Sequence, residues 1–174
     1  MQELYEKARR IRLAIFDVDG VMTDGSLYFS AAGEELKAFN VRDGHGMKML
    51  QASGVRLAII TSRISRCVEL RAHNLGIDLL YQGMADKLAS FQQILSLLGL
   101  DAAAAAYMGD DVVDLPVMRR CGLALTVPEA PAVVKSHAHY VSRSHGGRGA
   151  VREVCELIMQ AQGAFEARIA PYLK

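Results

Sequence analysis

The chain has 174 residues, is 51% hydrophobic and carries Lys+Arg 20 against Asp+Glu 19, a formal charge of +1. That is enough apolar sequence for the core of one compact domain, here expected to span residues 1–174. The scattered basic residues leave no electrostatic footprint for nucleic acid, so small molecules or proteins are the expected partners.

The amino-terminal stretch Met1-Gln2-Glu3-Leu4-Tyr5-Glu6-Lys7 is charged and lacks an apolar leader, and no later run approaches the length of a membrane span. Cys67, Cys121 and Cys155 are odd in number and form no CxxC pair, which argues against a disulfide framework or a zinc site. Both features predict a cytoplasmic protein with the cysteines as small buried hydrophobes.

Residues 2–10 are expected to form a short helix leading into the apolar strand Leu13-Ala14-Ile15-Phe16. That strand ends abruptly in two acids one residue apart, Asp17-Val18-Asp19, followed by Gly20. Gly25 to Ser30 and Glu35 to Val41 flank the turn Ala31-Ala32-Gly33-Glu34 and read as a β-hairpin, about 25–41, with apolar groups on both faces. A two-sided apolar ribbon left in water is an aggregation hazard, so self-association through it is expected.

Alternation then continues. Asp43–Ser53 is read as a helix, Val55–Ile60 as a strand stopping at Thr61-Ser62-Arg63, Ile64–Leu75 as a helix, Ile77–Tyr81 as a strand and Asp86–Leu98 as a helix. Residues 104–108 are read as strand despite five consecutive alanines, Val112–Cys121 as a helix with Pro116 kinking it or in its first turn, and Leu123–Val127 as strand. Ala138–Val141 reads as an edge strand, Ser144–Gly149 as a loop and Ala150–Gln162 as a helix, with a tail of about 163–174. The expected fold is α/β: a Rossmann-like, mostly parallel sheet with helices on both faces, a projecting hairpin and no cap domain.

In a parallel sheet these strand ends share one edge, where open α/β sheets bind their ligands. That edge would collect Asp17, Asp19, Thr61, Asp110, Asp111 and Asp114. So many carboxylates repel one another, and the usual remedy is a hard cation with oxygen ligands, most plausibly Mg²⁺. Lys87 falls in the first turn of its helix, where the macrodipole disfavours a cation, and this suggests work on an anion.

Four pieces in order resemble the four motifs of the haloacid dehalogenase superfamily of phosphotransferases: Asp17-Val18-Asp19-Gly20-Val21, Thr61 after an apolar strand, Lys87, and Gly109-Asp110-Asp111-Val112-Val113-Asp114. The short length, the hairpin and Gly146-Gly147-Arg148-Gly149-Ala150-Val151-Arg152-Glu153 further resemble the 3-deoxy-D-manno-octulosonate 8-phosphate phosphatases, Mg²⁺-dependent homotetramers that supply a lipopolysaccharide sugar. The resemblance covers nearly the whole chain. It implies that Asp17 attacks phosphorus to give an aspartyl-phosphate, and that Asp19 protonates the leaving alkoxide and later activates water. It also implies that the Asp17 carboxylate, the Asp19 main-chain carbonyl and the Asp110 carboxylate hold Mg²⁺. Asp111 and Asp114 then orient waters or Lys87, while Lys87 and Thr61 hold phosphoryl oxygens. An acid at position 19 favours hydrolysis, whereas ATPases of the superfamily carry threonine there.

Between Asp19 and Thr61 there is no room for a cap domain, so a neighbouring subunit is expected to close the site. Arg63 is the candidate for a sugar carboxylate, which a guanidinium matches bidentately, and Ser62 lies beside it. Ser62 stands where glycine is expected and His45 where a nonpolar or aromatic residue is common. Arg148 is read as closing the turn before the last helix, and His137 and His139 as structural. The leading reading is hydrolysis of an eight-carbon 2-keto-sugar acid phosphate. The alternatives are its nine-carbon counterpart, where an acidic residue is expected at position 63, a capless phosphatase of protein or nucleic-acid phosphates, and a scaffold on a decayed phosphatase fold.

Overall fold

The computed structural model describes residues 2–174. Its centre is a six-stranded parallel sheet built from β1 (Leu13–Phe16), β4 (Arg56–Ile60), β5 (Leu79–Tyr81), β6 (Ala105–Met108), β7 (Leu123–Thr126) and β8 (Tyr140–Val141), in the order β5-β4-β1-β6-β7-β8. β1, β6 and β7 are buried along their whole length, as continuous apolar runs between two helical layers must be. Ile15 pairs with Ala58 on one side and Tyr107 on the other, which fixes the register at the centre of the sheet.

From β1 the chain moves outward through α2 (Val41–Ala52) to β4 and through α3 (Arg66–Leu75) to β5, then returns through α4 (Lys87–Leu98) to β6 on the other side of β1. The order therefore reverses between β1 and β6, and a crevice opens there at the carboxyl ends of the strands. α7 (Ala150–Ala161) packs on α2 and on α1 (Gln2–Arg9), while α4 packs against β4 and α5 (Leu115–Met118). α3 and α4 both end on a left-handed glycine, Gly76 and Gly99. Among the described residues no helix is long and apolar enough to cross a membrane, and Cys67, Cys121 and Cys155 are free thiols, the last two buried.

Several elements differ from expectation. The hairpin ladder shrinks to β2 (Tyr28–Phe29) and β3 (Glu35–Leu36), paired Tyr28↔Leu36 and Phe29↔Glu35. Leu27, Tyr28, Phe29 and Leu36 are all exposed, so its apolar faces find no cover within this chain. The helix expected over Val112–Cys121 is a 3₁₀ turn, Val112–Asp114, followed by the short α5, whose first turn accommodates Pro116. Part of the alanine run forms a 3₁₀ turn, Ala102–Ala104, before β6. α6 (Ala132–Lys135) was not expected, and the tail holds α8 (Phe165–Ile169) and a 3₁₀ turn, Ala170–Leu173.

Candidate active site

The loop after β1 is built to hold two carboxylates rigidly. Asp17 donates its backbone N–H to Met108 O at 2.9 Å, continuing the ladder with β6 one residue beyond the strand. The N–H groups of Val21, Met22 and Thr23 converge on Val18 O at 2.9–3.2 Å, and Thr23 Oγ1 accepts from Gly25 N–H at 3.2 Å. Gly20 has φ 89°, and a Cβ there would overlap the Asp110 carboxylate, so both its conformation and its surroundings require glycine.

Asp17 is buried, with Oδ1 accepting from Val18 N–H at 2.7 Å and Oδ2 lying 2.8 Å from Lys87 Nζ. Burial, reinforced by Asp114, raises its pKa to about 6 against the opposing pull of Lys87. Lys87 begins α4, capped by the Asp86 side chain on Ala89 N–H, and its ammonium is buried between Asp17 and Asp114. Burial works against that charge, but the two carboxylates outweigh it and hold the Lys87 pKa above its ordinary value.

Asp114 is saturated. It accepts from Lys87 Nζ at 2.7 Å, from Tyr107 Oη at 2.6 Å and from the backbone N–H groups of Asp110 and Asp111 at 3.0 and 3.1 Å. Asp110 is the opposite case: its Oδ1 is buried without a hydrogen-bond partner. Burial, then Asp17 and Asp114, push its pKa up to about 7. Carboxylate oxygens of Asp17, Asp110 and Asp114 lie within 4.8 Å of one another. Because Asp114 has its acceptors filled, the pair free to take a cation is Asp17 and Asp110. A partnerless buried oxygen in an all-oxygen donor set suits a hard divalent ion.

The remaining expected residues divide cleanly. Thr61 is buried at the end of β4, its N–H on Tyr81 O at 2.9 Å, and faces the same edge. Ser62 is exposed and turns its hydroxyl to Met84 O at 3.1 Å. Asp111 is exposed and accepts from Val112 N–H at 2.7 Å, capping the 3₁₀ turn; it makes no bond to Lys87. Asp19 stands at the rim, paired with Lys37 and 3.7 Å from Arg63 Nε. Arg63 Nη2 in turn donates to Glu35 at 3.1 Å.

Lys37, Glu35 and Tyr107 are the site residues that sequence reading missed, as it missed the partner of Asp43. The spacing of Glu35 and Lys37 on one side of the hairpin was the available signal. Tyr107 lies inside an apolar strand, where a buried phenol requires a partner; burial and then Asp114 hold its pKa well above 10.0. Asp43 lies in the first turn of α2, as read, and its carboxylate also accepts from Arg152 N–H at 2.8 Å at the amino end of α7.

The glycine-rich stretch before α7 supports the loop after β1. Gly147 N–H bonds Val21 O at 2.9 Å, and a Cβ at Gly146 would overlap the Gly20 carbonyl. Arg148 is exposed, 3.6 Å from Asp24, with its N–H on His145 O, in keeping with turn closure. His139 Nδ1 accepts from Ala124 N–H at 2.8 Å, while His45 stacks edge-on against Tyr172 at 5.8 Å, away from these carboxylates.

Residues 77–154 match the family of haloacid dehalogenase-like hydrolases. The 3-deoxy-D-manno-octulosonate 8-phosphate phosphatase of Yersinia pestis is 50% identical over 164 residues, 94% of this chain and 88% of that protein. The crystal structure of a probable phosphatase of the yrbi family from Pseudomonas syringae superposes with a TM-score of 0.98 at 51% identity, covering 100% of this chain and 99% of the other. The 3-deoxy-D-manno-octulosonate 8-phosphate phosphatase of Moraxella catarrhalis, solved with a magnesium ion, a phosphate ion and KDO, has a TM-score of 0.97 at 44% identity, covering 99% of each chain. With the family's fold reproduced along nearly its whole length and with half of the residues identical, the chain belongs to the 3-deoxy-D-manno-octulosonate 8-phosphate phosphatases of the haloacid dehalogenase-like hydrolases.

Proposed function

We propose that the chain hydrolyses 3-deoxy-D-manno-octulosonate 8-phosphate to the free sugar acid and phosphate, a step in the supply of lipopolysaccharide precursors. The observation that carries this reading is the buried Asp17 carboxylate held by Lys87, with Asp19 two residues on at the rim. Asp17 attacks phosphorus, the bond to the sugar oxygen breaks, and Asp19 gives its proton to the departing alkoxide. In the second step Asp19 takes a proton from water as its oxygen attacks phosphorus, which frees phosphate and regenerates Asp17. Lys87 and the Thr61 hydroxyl hold the phosphoryl oxygens, and Asp114, bound by Tyr107, keeps the ammonium in place. Asp111 serves as a cap for the chain turn rather than as a partner of Lys87.

Asp17, the Asp19 carbonyl and Asp110 are the residues to hold Mg²⁺. The bound ion neutralises charge so that a carboxylate can approach a phosphate dianion. Arg63, with Ser62 beside it, reads the carboxylate of the sugar acid. An arginine at position 63 favours the eight-carbon over the nine-carbon substrate.

The working unit is one domain, supported by a single apolar core that runs through both faces of the sheet. It assembles as a homotetramer, supported by the uncovered Leu27, Tyr28, Phe29 and Leu36 of the hairpin, and a neighbouring subunit closes the site. The free thiols support a cytoplasmic location.

The test is phosphate release from the eight- and nine-carbon acid phosphates, phosphoserine and a phosphorylated oligonucleotide, with Mg²⁺ and with chelator. Chelator-sensitive preference for the eight-carbon acid, lost in Asp17→Asn, is expected. Turnover by Asp17→Asn above a few per cent of the parent would remove Asp17 as nucleophile.

A further inference from the structure

Four charged side chains close a ring at the mouth of the site. Lys37 Nζ pairs with Asp19 Oδ1 and lies 3.4 Å from Glu35 Oε1; Arg63 Nη2 lies 3.1 Å from the same Glu35 oxygen, and Arg63 Nε lies 3.7 Å from Asp19 Oδ2. Acids and bases alternate around it: Asp19, Lys37, Glu35, Arg63. Two members come from the hairpin, one from the loop after β1 and one from the turn after β4, so the ring exists only because the hairpin folds back over the strand ends.

Glu35 has an unusual position in this ring. It is the one member carried by a strand, β3, and it occupies both cations of the ring, Lys37 and Arg63. The Lys37 ammonium is almost wholly buried, with 1% of its side chain exposed, whereas Arg63 is 44% exposed. Lys37 without a second carboxylate would face the cost of a buried, half-compensated charge. Arg63 can exchange partners cheaply, since an exposed ion pair is worth about 0–1 kcal/mol. The element that carries Glu35 is itself weakly held, a ladder of two residues on each side with no chain packed on its apolar face.

We propose that Glu35 is a built-in stand-in for the substrate's carboxylate: it occupies Arg63 and Lys37 in the free protein and is displaced by the carboxylate of a sugar-acid phosphate. This rests on the function proposed above. A phosphate ester lacking a carboxylate meets cations that are already neutralised and gains nothing from them. A substrate carrying one replaces Glu35 ion for ion, leaving Lys37 and Arg63 compensated throughout. Glu35 thereby sets the strength of the carboxylate contact without touching the reacting atoms, by making that contact an exchange instead of a new bond.

The experiment measures kcat and KM of the Mg²⁺-loaded parent, Glu35→Gln, Arg63→Gln and the double variant. The probes are 3-deoxy-D-manno-octulosonate 8-phosphate and ribose 5-phosphate, a primary sugar phosphate without a carboxylate. Removing the competitor should lower KM for the acid about two- to fivefold, the factor that a pair of this exposure supports. KM for ribose 5-phosphate should stay within about twofold. In the Arg63→Gln background the Glu35→Gln effect should disappear, as coupling through Arg63 demands. A raised KM for the acid in Glu35→Gln would mean that Glu35 aims Arg63 and would overturn the proposal, as would an equal fall for both substrates. A parent that fails to prefer the acid phosphate would instead refute the function proposed above, and the two failures are read from different columns of the same data.

Discussion

Replacing Asp110 by asparagine should stabilise the metal-free protein while destroying its activity. Asp110 is held with Oδ1 buried and partnerless, and its pKa is pushed from 3.8 to about 7 by burial and by the neighbouring acids Asp17 and Asp114. A carboxyl group whose pKa is higher in the fold than in the unfolded chain contributes stability that is complete below the unfolded value, near pH 4. That contribution is lost as pH rises through 7. At ~1.4 kcal/mol for each pH unit between the two values, the full loss above pH 8 is on the order of 4 kcal/mol, reduced to about 2–4 kcal/mol by coupling with Asp17. The amide cannot ionise and so escapes it. Its own buried polar atom lacks a partner just as Oδ1 does, which makes that cost common to both proteins. Thermal unfolding in chelator should therefore show Asp110→Asn above the parent by about 5–15 °C at pH 8, with the gap closing towards pH 5. Adding Mg²⁺ at pH 8 should raise the parent and leave the variant unmoved. Equal melting temperatures in chelator at pH 8, or a variant that gains as much from Mg²⁺ as the parent, would refute the assignment of Asp110 as a strained ligand awaiting a cation.

Asp114→Asn should be severely destabilising, by about 3–5 kcal/mol, because it leaves the buried Lys87 ammonium with Asp17 alone; urea unfolding at pH 7 gives the number. Tyr107→Phe removes one hydrogen bond to the same carboxylate and should cost about 1–3 kcal/mol, with kcat falling in step with the loosening of Lys87. Phe29→Lys combined with Leu36→Lys should convert the proposed homotetramer to smaller species in light scattering while leaving the thermal stability of the fold within about 1 kcal/mol, since both side chains are exposed in the single chain.

The acids at the strand ends were legible because a buried parallel strand is an uninterrupted apolar run, and the point where it stops marks the edge of the sheet. Leu13 to Phe16 and Ala105 to Met108 each end on such a boundary, and Asp17 and Asp110 follow within two residues. Lys87 was legible as a cation in an unfavourable first turn, and its burial between two carboxylates gives the reason. The ring of Asp19, Lys37, Glu35 and Arg63 was not, because alternation within a hairpin reports which residues share a side but not what that side meets. Tyr107 and Asp43 failed for the same reason. Each is locally an ordinary strand or helix residue, and its partner lies across the fold. α6 and the 3₁₀ turn before α5 are too short for periodicity to reveal.

Nothing after Asp114 supplies a group to the proposed chemistry, which invites trimming of the chain from its carboxyl end. The contact of Gly146 and Gly147 with the loop after β1 sets the limit of such trimming. A fragment ending before residue 146 would keep every acid and Lys87 and lose the surface against which that loop is moulded. A second cut, anywhere within α7, would expose the apolar face that this helix lays over α1 and α2. The stretch from Gly146 to the end of α7 thus acts as the mould for a site to which it contributes no reactive atom.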